Sequence, residues 1–127
     1  MREVFILDAV RMPTGTRNGK LSGMRPDDML GFLLSHLVNE RLAIDPATVE
    51  DIVCGCVTQI GEQALNIGRN ALLAGGLPVS VAGAAVNRLE CSGQTAMAFA
   101  AQAISAGEMD VVIACGVESM SRQPAGS

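Results

Sequence analysis

Short apolar runs alternate with helix-like patterns along the chain. Val4–Val10 (VFILDAV) is rich in β-branched and large apolar residues and ends at Arg11, Pro13 and Gly15, which predicts a buried strand. Thr14–Gly23 carries Gly15, Asn18, Gly19, Ser22 and Gly23 and reads as a loop. Pro26-Asp27-Asp28 opens a helix, because proline suits the first helical position and carboxylates suit the positive end of the helix dipole. Met29, Leu30, Leu33, Leu37 and Val38 follow at helical spacing. That helix ends near Ile44-Asp45-Pro46, since the residue before a proline avoids the α region.

Asp51–Thr58 (DIVCGCVT) predicts a second buried strand, with Cys54 and Cys56 two apart and hence on one face. Ile60–Gln63 is a turn, and Asn66–Ala74 (NIGRNALLA) predicts a helix closed by Gly75-Gly76. Ser80–Val86 predicts a third strand. Gln94–Ala106 is apolar almost all round, which predicts a helix enclosed on every side. Gly93, Ala96, Ala100, Ala103 and Gly107 give it a face of small residues that lets another backbone approach. Asp110–Cys115 predicts a fourth strand, ended by Gly116, and Glu118–Ser127 a terminal loop. The order βαβαβαβ, with continuous Val/Ile runs, predicts an α/β fold: a mostly parallel sheet with helices on both faces.

Composition narrows the chemistry. At 127 residues the chain is one domain at most. Nine Lys and Arg against 13 Asp and Glu give a net charge of −4, and there is no Trp or Tyr. An acidic chain with no basic run has neither the charge nor the stacking platform that nucleic-acid binding uses. No stretch is long and apolar enough for a membrane span, and Asp8 interrupts the N-terminal apolar run, so neither a membrane partner nor a signal peptide is expected. The thiols of Cys54, Cys56, Cys91 and Cys115 are therefore read as reduced and the chain as cytoplasmic. With a single histidine and no C-x-x-C, no metal site is expected. His36 reads as a solvated or edge-packed side chain, and Cys54 and Cys56 as small packing residues.

In open α/β sheets, sites gather where strands end and helices begin. The richest such junction is Ala85-Val86-Asn87-Arg88-Leu89-Glu90-Cys91-Ser92-Gly93. A cysteine at a helix N-terminus has its thiolate favoured by the dipole, which makes Cys91 the best nucleophile candidate of the four. The competing reading is a small packing residue. No G-x-G-x-x-G or G-x-x-x-x-G-K-[ST] occurs to suggest a nucleotide-binding domain instead.

Several motifs, in order, resemble the thiolase family of acyl-CoA C-acyltransferases. Asn87-Arg88-Leu89 followed by Cys, Ser and Gly is similar to the family's N-R-x-C-x-S-G turn. Gly116-Val117-Glu118-Ser119-Met120-Ser121-Arg122 matches its G-V-E-S-M-S-R stretch. Gly55-Cys56-Val57-Thr58-Gln59, Gly61-Glu62-Gln63, Asn66-Ile67-Gly68-Arg69 and Arg25-Pro26-Asp27-Asp28 also fit. The resemblance implies one incomplete half of a fold made of two similar halves, spanning residues 1–127 and ending in the loop after the fourth strand. It implies cleavage of 3-ketoacyl-CoA by coenzyme A, or the reverse condensation, through a cysteine thioester, as in fatty acid metabolism. Coenzyme A thioesters would be substrates, with no permanently bound cofactor.

The chain departs from the family at two points. Laid on without a gap, the family's turn puts its nucleophile position at Glu90, with Cys91 one residue later. The family's catalytic histidine and second cysteine have no counterpart here, and His36 matches no family motif. Two readings follow. In one, the chain supplies the nucleophile region of an acyltransferase, as a fragment or as one piece of a split enzyme. In the other, it is a catalytically inactive module. Either reading expects partners: a second copy, a full-length relative or a complementary C-terminal half to cover the small-residue helix face.

Overall fold

A computed structural model describes all residues, 1–127. Three parallel strands form its sheet: β1 (Asp51–Gly55), β2 (Ala82–Val86) and β3 (Val112–Gly116), in the order β2-β1-β3. The central strand is the most buried, as a strand covered on both faces must be. Cys54 stands opposite Ala85 on one side and Cys115 on the other. Helices α1 (Pro26–Ser35), α2 (Ile67–Ala74) and α3 (Ser92–Ala106) connect and cover the strands.

Alternation along β1 divides the two faces. Ile52, Cys54 and Cys56 join Leu30, Leu34, Ile67, Ala71 and Leu72 in the main core, under α1 and α2. Gly55 faces the other way, onto α3: a Cβ there would stand 2.5 Å from the Ser92 carbonyl carbon. Glycine is thus what lets the first turn of α3 sit on the end of β1. The α1–α2 crossing is equally close, since a Cβ on Gly31 would meet the Ala71 carbonyl oxygen at 2.7 Å. Asn66 accepts the Arg69 N–H and caps α2.

Four expectations change. The Val4–Val10 stretch is not a strand, so the sheet has three strands rather than four. It has no ladder partner, and Phe5, Ile6 and Leu7 are 71–74% exposed. Strand propensity supplies a shape but not a hydrogen-bonding neighbour. The stretch is held at its ends instead: Arg2 N–H donates to the Ser105 carbonyl at 3.0 Å, and Asp8 accepts from Arg41 at 2.9 Å. A cavity of about 880 Å³ lies between edge strand β3, helix α1 and the Val10–Asn18 stretch.

The helix expected to be enclosed on every side is covered on one only. Ala96 and Ala100 pack inward, so the small residues serve the approach to this sheet, while Met97 and Phe99 are 48% and 42% exposed. A single sheet covers only one side of a helix. The first helix is α-helical only to Ser35; His36–Leu42 continues as a π-helical turn that ends at Ala43 in the left-handed region (φ 50°). The last residues are not a bare tail, because Ser119 is buried and Arg122 pairs with Glu62.

Candidate active site

The turn between β2 and α3 is fastened from within. Asn87 Oδ1 accepts the Leu89 N–H at 2.9 Å, closing an Asx turn. Leu89 has φ 48°, a left-handed backbone that a branched side chain adopts only when its surroundings impose it. Buried Ser92 supplies the rest: its Oγ accepts the Arg88 N–H at 2.9 Å and donates to the Leu89 carbonyl at 2.5 Å. The Cys91 N–H donates to the Arg88 carbonyl, and the Cys91 carbonyl accepts from Thr95 N–H in the first turn of α3.

Cys91 therefore sits at the N-terminal cap of a 15-residue helix, and its side chain makes no capping bond. It is a free thiol at the surface, and Glu90 beside it is also exposed. Neither lines the large cavity beside β3. The helix N-terminus offers positive partial charge and unpaired N–H groups to an anion, such as a developing oxyanion.

A second layer anchors the turn to the strand ends. Asn87 Nδ2 donates to the Val57 carbonyl at 2.9 Å. The Val57 N–H donates to Glu118 Oε2 at 2.8 Å, and the Thr58 N–H to Glu118 Oε1 at 3.2 Å. Gln63 Nε2 donates to Glu118 at 2.9 Å and to the Thr58 carbonyl at 2.8 Å, while its Oε1 accepts the Ser119 N–H at 2.7 Å. Gln63 is fully buried, with its side-chain polar atoms partnered. Burial alone would raise the Glu118 carboxyl, but the Val57 N–H, the Gln63 amide and the Thr58 N–H outweigh it and hold the group below the ordinary glutamate range. Burial, and then the Glu118 charge, push the Cys56 thiol up to about 12, so Cys56 stays a protonated thiol at neutral pH.

A further ionic cluster ties the terminal loop to the opening of α1. Arg122 and Arg25 both reach Glu62, and Arg25 also holds Asp27 at 2.9 Å. The Arg122 guanidinium lowers the Glu62 carboxyl.

The structure thus keeps Cys91 and Glu90 adjacent and exposed, and puts Cys54 and Cys56 in the core as packing residues. His36 stacks on Phe32 and lies 2.9 Å from Glu40 at the surface, away from the turn. Glu118, Gln63 and Asn87 entered the sequence reading only as members of the quoted motifs, with no anchoring role assigned to them. Their signal beyond that is a set of polar side chains just past two buried strand ends. No group of three or more His, Cys, Asp or Glu gathers that could hold a metal ion. No helix is long and apolar enough to cross a membrane.

A family model described as "Thiolase, N-terminal domain" matches residues 4–127. A beta-ketoadipyl-CoA thiolase of Escherichia coli is 48% identical over 124 residues, covering 98% of this chain and 31% of that protein. The 3-oxoadipyl-CoA/3-oxo-5,6-dehydrosuberyl-CoA thiolase of Escherichia coli (strain K12) is 47% identical over the same shares of the two chains. Steroid 3-ketoacyl-CoA thiolase FadA6 of Mycobacterium tuberculosis is 46% identical over 127 residues, all of this chain and 31% of that one. The chain spans about a third of the length of these curated relatives.

Proposed function

The chain belongs to the thiolase family, matching its N-terminal domain, and from that premise we propose that it supplies the nucleophile region of an acyl-CoA C-acyltransferase. The observation that carries this reading is Cys91: an exposed free thiol at the start of α3, on a turn held by Asn87 and Ser92. In the proposed step the Cys91 sulfur attacks the carbonyl carbon of an acyl-CoA. The bond from that carbon to the coenzyme A sulfur breaks, and coenzyme A leaves as the thiol with the proton from Cys91. One thioester replaces another, so the exchange is nearly balanced in energy. The acyl group then passes to an acceptor, coenzyme A or a second acyl-CoA. The similar proteins named above point to 3-ketoacyl-CoA thioesters as the substrate class. Cytoplasmic location and association with a second copy or a complementary C-terminal half belong to the same proposal.

Incubation of the reduced chain with acetyl-CoA, followed by intact mass measurement and peptide mapping, tests it. The expected result is one acetyl group on Cys91, lost in Cys91→Ser. An acetyl group elsewhere overturns it.

Glu90 favours a second reading. It occupies the position of the family's nucleophile, and a carboxylate is a poor acyl carrier because a mixed anhydride is far higher in energy than a thioester. In that reading the domain is catalytically inactive and associates through the exposed Met97 and Phe99 side of α3. No acetyl adduct, with Cys91 still open to alkylation, is its signature.

A further inference from the structure

Cys54 and Cys115 are register partners on the adjacent strands β1 and β3. Residues so paired point to the same face of the sheet. Neighbouring strands stand about 4.8 Å apart, inside the Cα separation of roughly 4.4–6.8 Å that a disulfide spans. Both thiols lie over the seam between the two strands. Cys115 Sγ is 3.7 Å from the Val53 carbonyl oxygen, and Cys54 Sγ is 3.7 Å from the Gly55 carbonyl oxygen, which also accepts the Val117 N–H from the β3 side. Access is unequal. Cys54 is fully buried, whereas Cys115 is half-buried and lines the cavity beside β3. Neither sulfur takes part in the acyl transfer proposed above.

We propose that Cys54 and Cys115 form an oxidisable dithiol, which a peroxide closes into a disulfide that ties β3 to β1. In the first step peroxide, reaching Cys115 from the cavity, converts its thiol to a sulfenic acid and releases one water. In the second step the Cys54 sulfur attacks the Cys115 sulfur. The S–O bond breaks, and the oxygen leaves as a second water with the proton from Cys54. Two thiols lose two electrons and two hydrogens, and one hydrogen peroxide is reduced to two waters. A dithiol reductant reverses the change. The neighbouring Cys115 sulfur first, and burial second, push the Cys54 thiol up, so the second step is slow at neutral pH and quickens as pH rises.

The test uses the whole chain, reduced, desalted and titrated with hydrogen peroxide. Remaining thiols are blocked with iodoacetamide, and the chain is weighed intact and mapped by peptides. The expected product is a monomer that takes up two alkyl groups in denaturant where the reduced chain takes up four, with four restored by dithiothreitol. The link survives in Cys56→Ala and in Cys91→Ser and is lost in Cys115→Ser, with circular dichroism confirming that each variant folds. A link through Cys91 or Cys56, a cross-linked dimer, oxygen adducts without a link, or an unchanged mass each overturn the proposal.

Discussion

Glu118 accepts the Val57 N–H at 2.8 Å, so the loop that follows β3 fixes the path by which the chain leaves β1. The Val57 carbonyl in turn holds Asn87, and Asn87 holds the turn that presents Cys91. The Glu118 carboxylate thereby sets the backbone beside the candidate nucleophile through three successive hydrogen bonds. Glu118→Ala is expected to destabilise the chain by about 1–3 kcal/mol, because it strips acceptors from two backbone N–H groups. Urea unfolding followed by circular dichroism measures this.

The acid limb of stability follows from the same group. The folded state depresses the Glu118 carboxyl below its ordinary value of 4.5, so its stabilisation is fully present above that value. It is lost as pH falls through the lower folded value. Glu62, lowered chiefly by Arg122, adds to the loss in the same direction. Thermal melts are expected to be flat above about pH 5.5 and to fall in midpoint below about pH 4.5. Glu118→Gln is expected to start lower and to fall less.

Gly55→Ala tests the seat of α3. Its methyl group would stand 2.5 Å from the Ser92 carbonyl carbon and 2.6 Å from the Gly93 nitrogen, so the helix start must move. A loss of about 1–3 kcal/mol in urea unfolding is expected, as for other overpacked sites. The rate of Cys91 acetylation by acetyl-CoA is expected to drop at least ~10-fold, since ~1 Å of displacement is enough to cost more than that.

Met97 and Phe99, together with the Phe5-Ile6-Leu7 stretch, leave much apolar surface in water. Sedimentation equilibrium is expected to show concentration-dependent association of the chain. Met97→Lys combined with Phe99→Gln is expected to weaken it without lowering the melting temperature, because neither side chain is buried in the monomer. A monomer at all concentrations would contradict this.

The elements most legible in the sequence are those whose pattern and partners are both local. The Ile67–Ala74 helix and the buried DIVCG strand are of this kind. Val4–Val10 has the same β-rich character, but a strand also needs a neighbouring backbone, which no pattern within the segment reports. The π-helical turn at His36–Leu42 was hidden for a similar reason: the apolar residues keep a helical spacing while the hydrogen bonds slip by one residue. Around the site, Cys91 was legible from its place at a helix start. Glu118 and Gln63 were not, because their partners lie 55–61 residues away in the chain.

The tether of Arg2 to Asp110 joins positions 108 residues apart in the chain. During synthesis Phe5, Ile6 and Leu7 emerge well before the groups that hold this stretch down, Ser105 and Asp110. Closing so long a loop is entropically slow, so the N-terminus docks late in folding. Phe5, Ile6 and Leu7 stay in water even once docked, so before and after that step the polypeptide carries an apolar tag of the kind that apolar-binding chaperones retain.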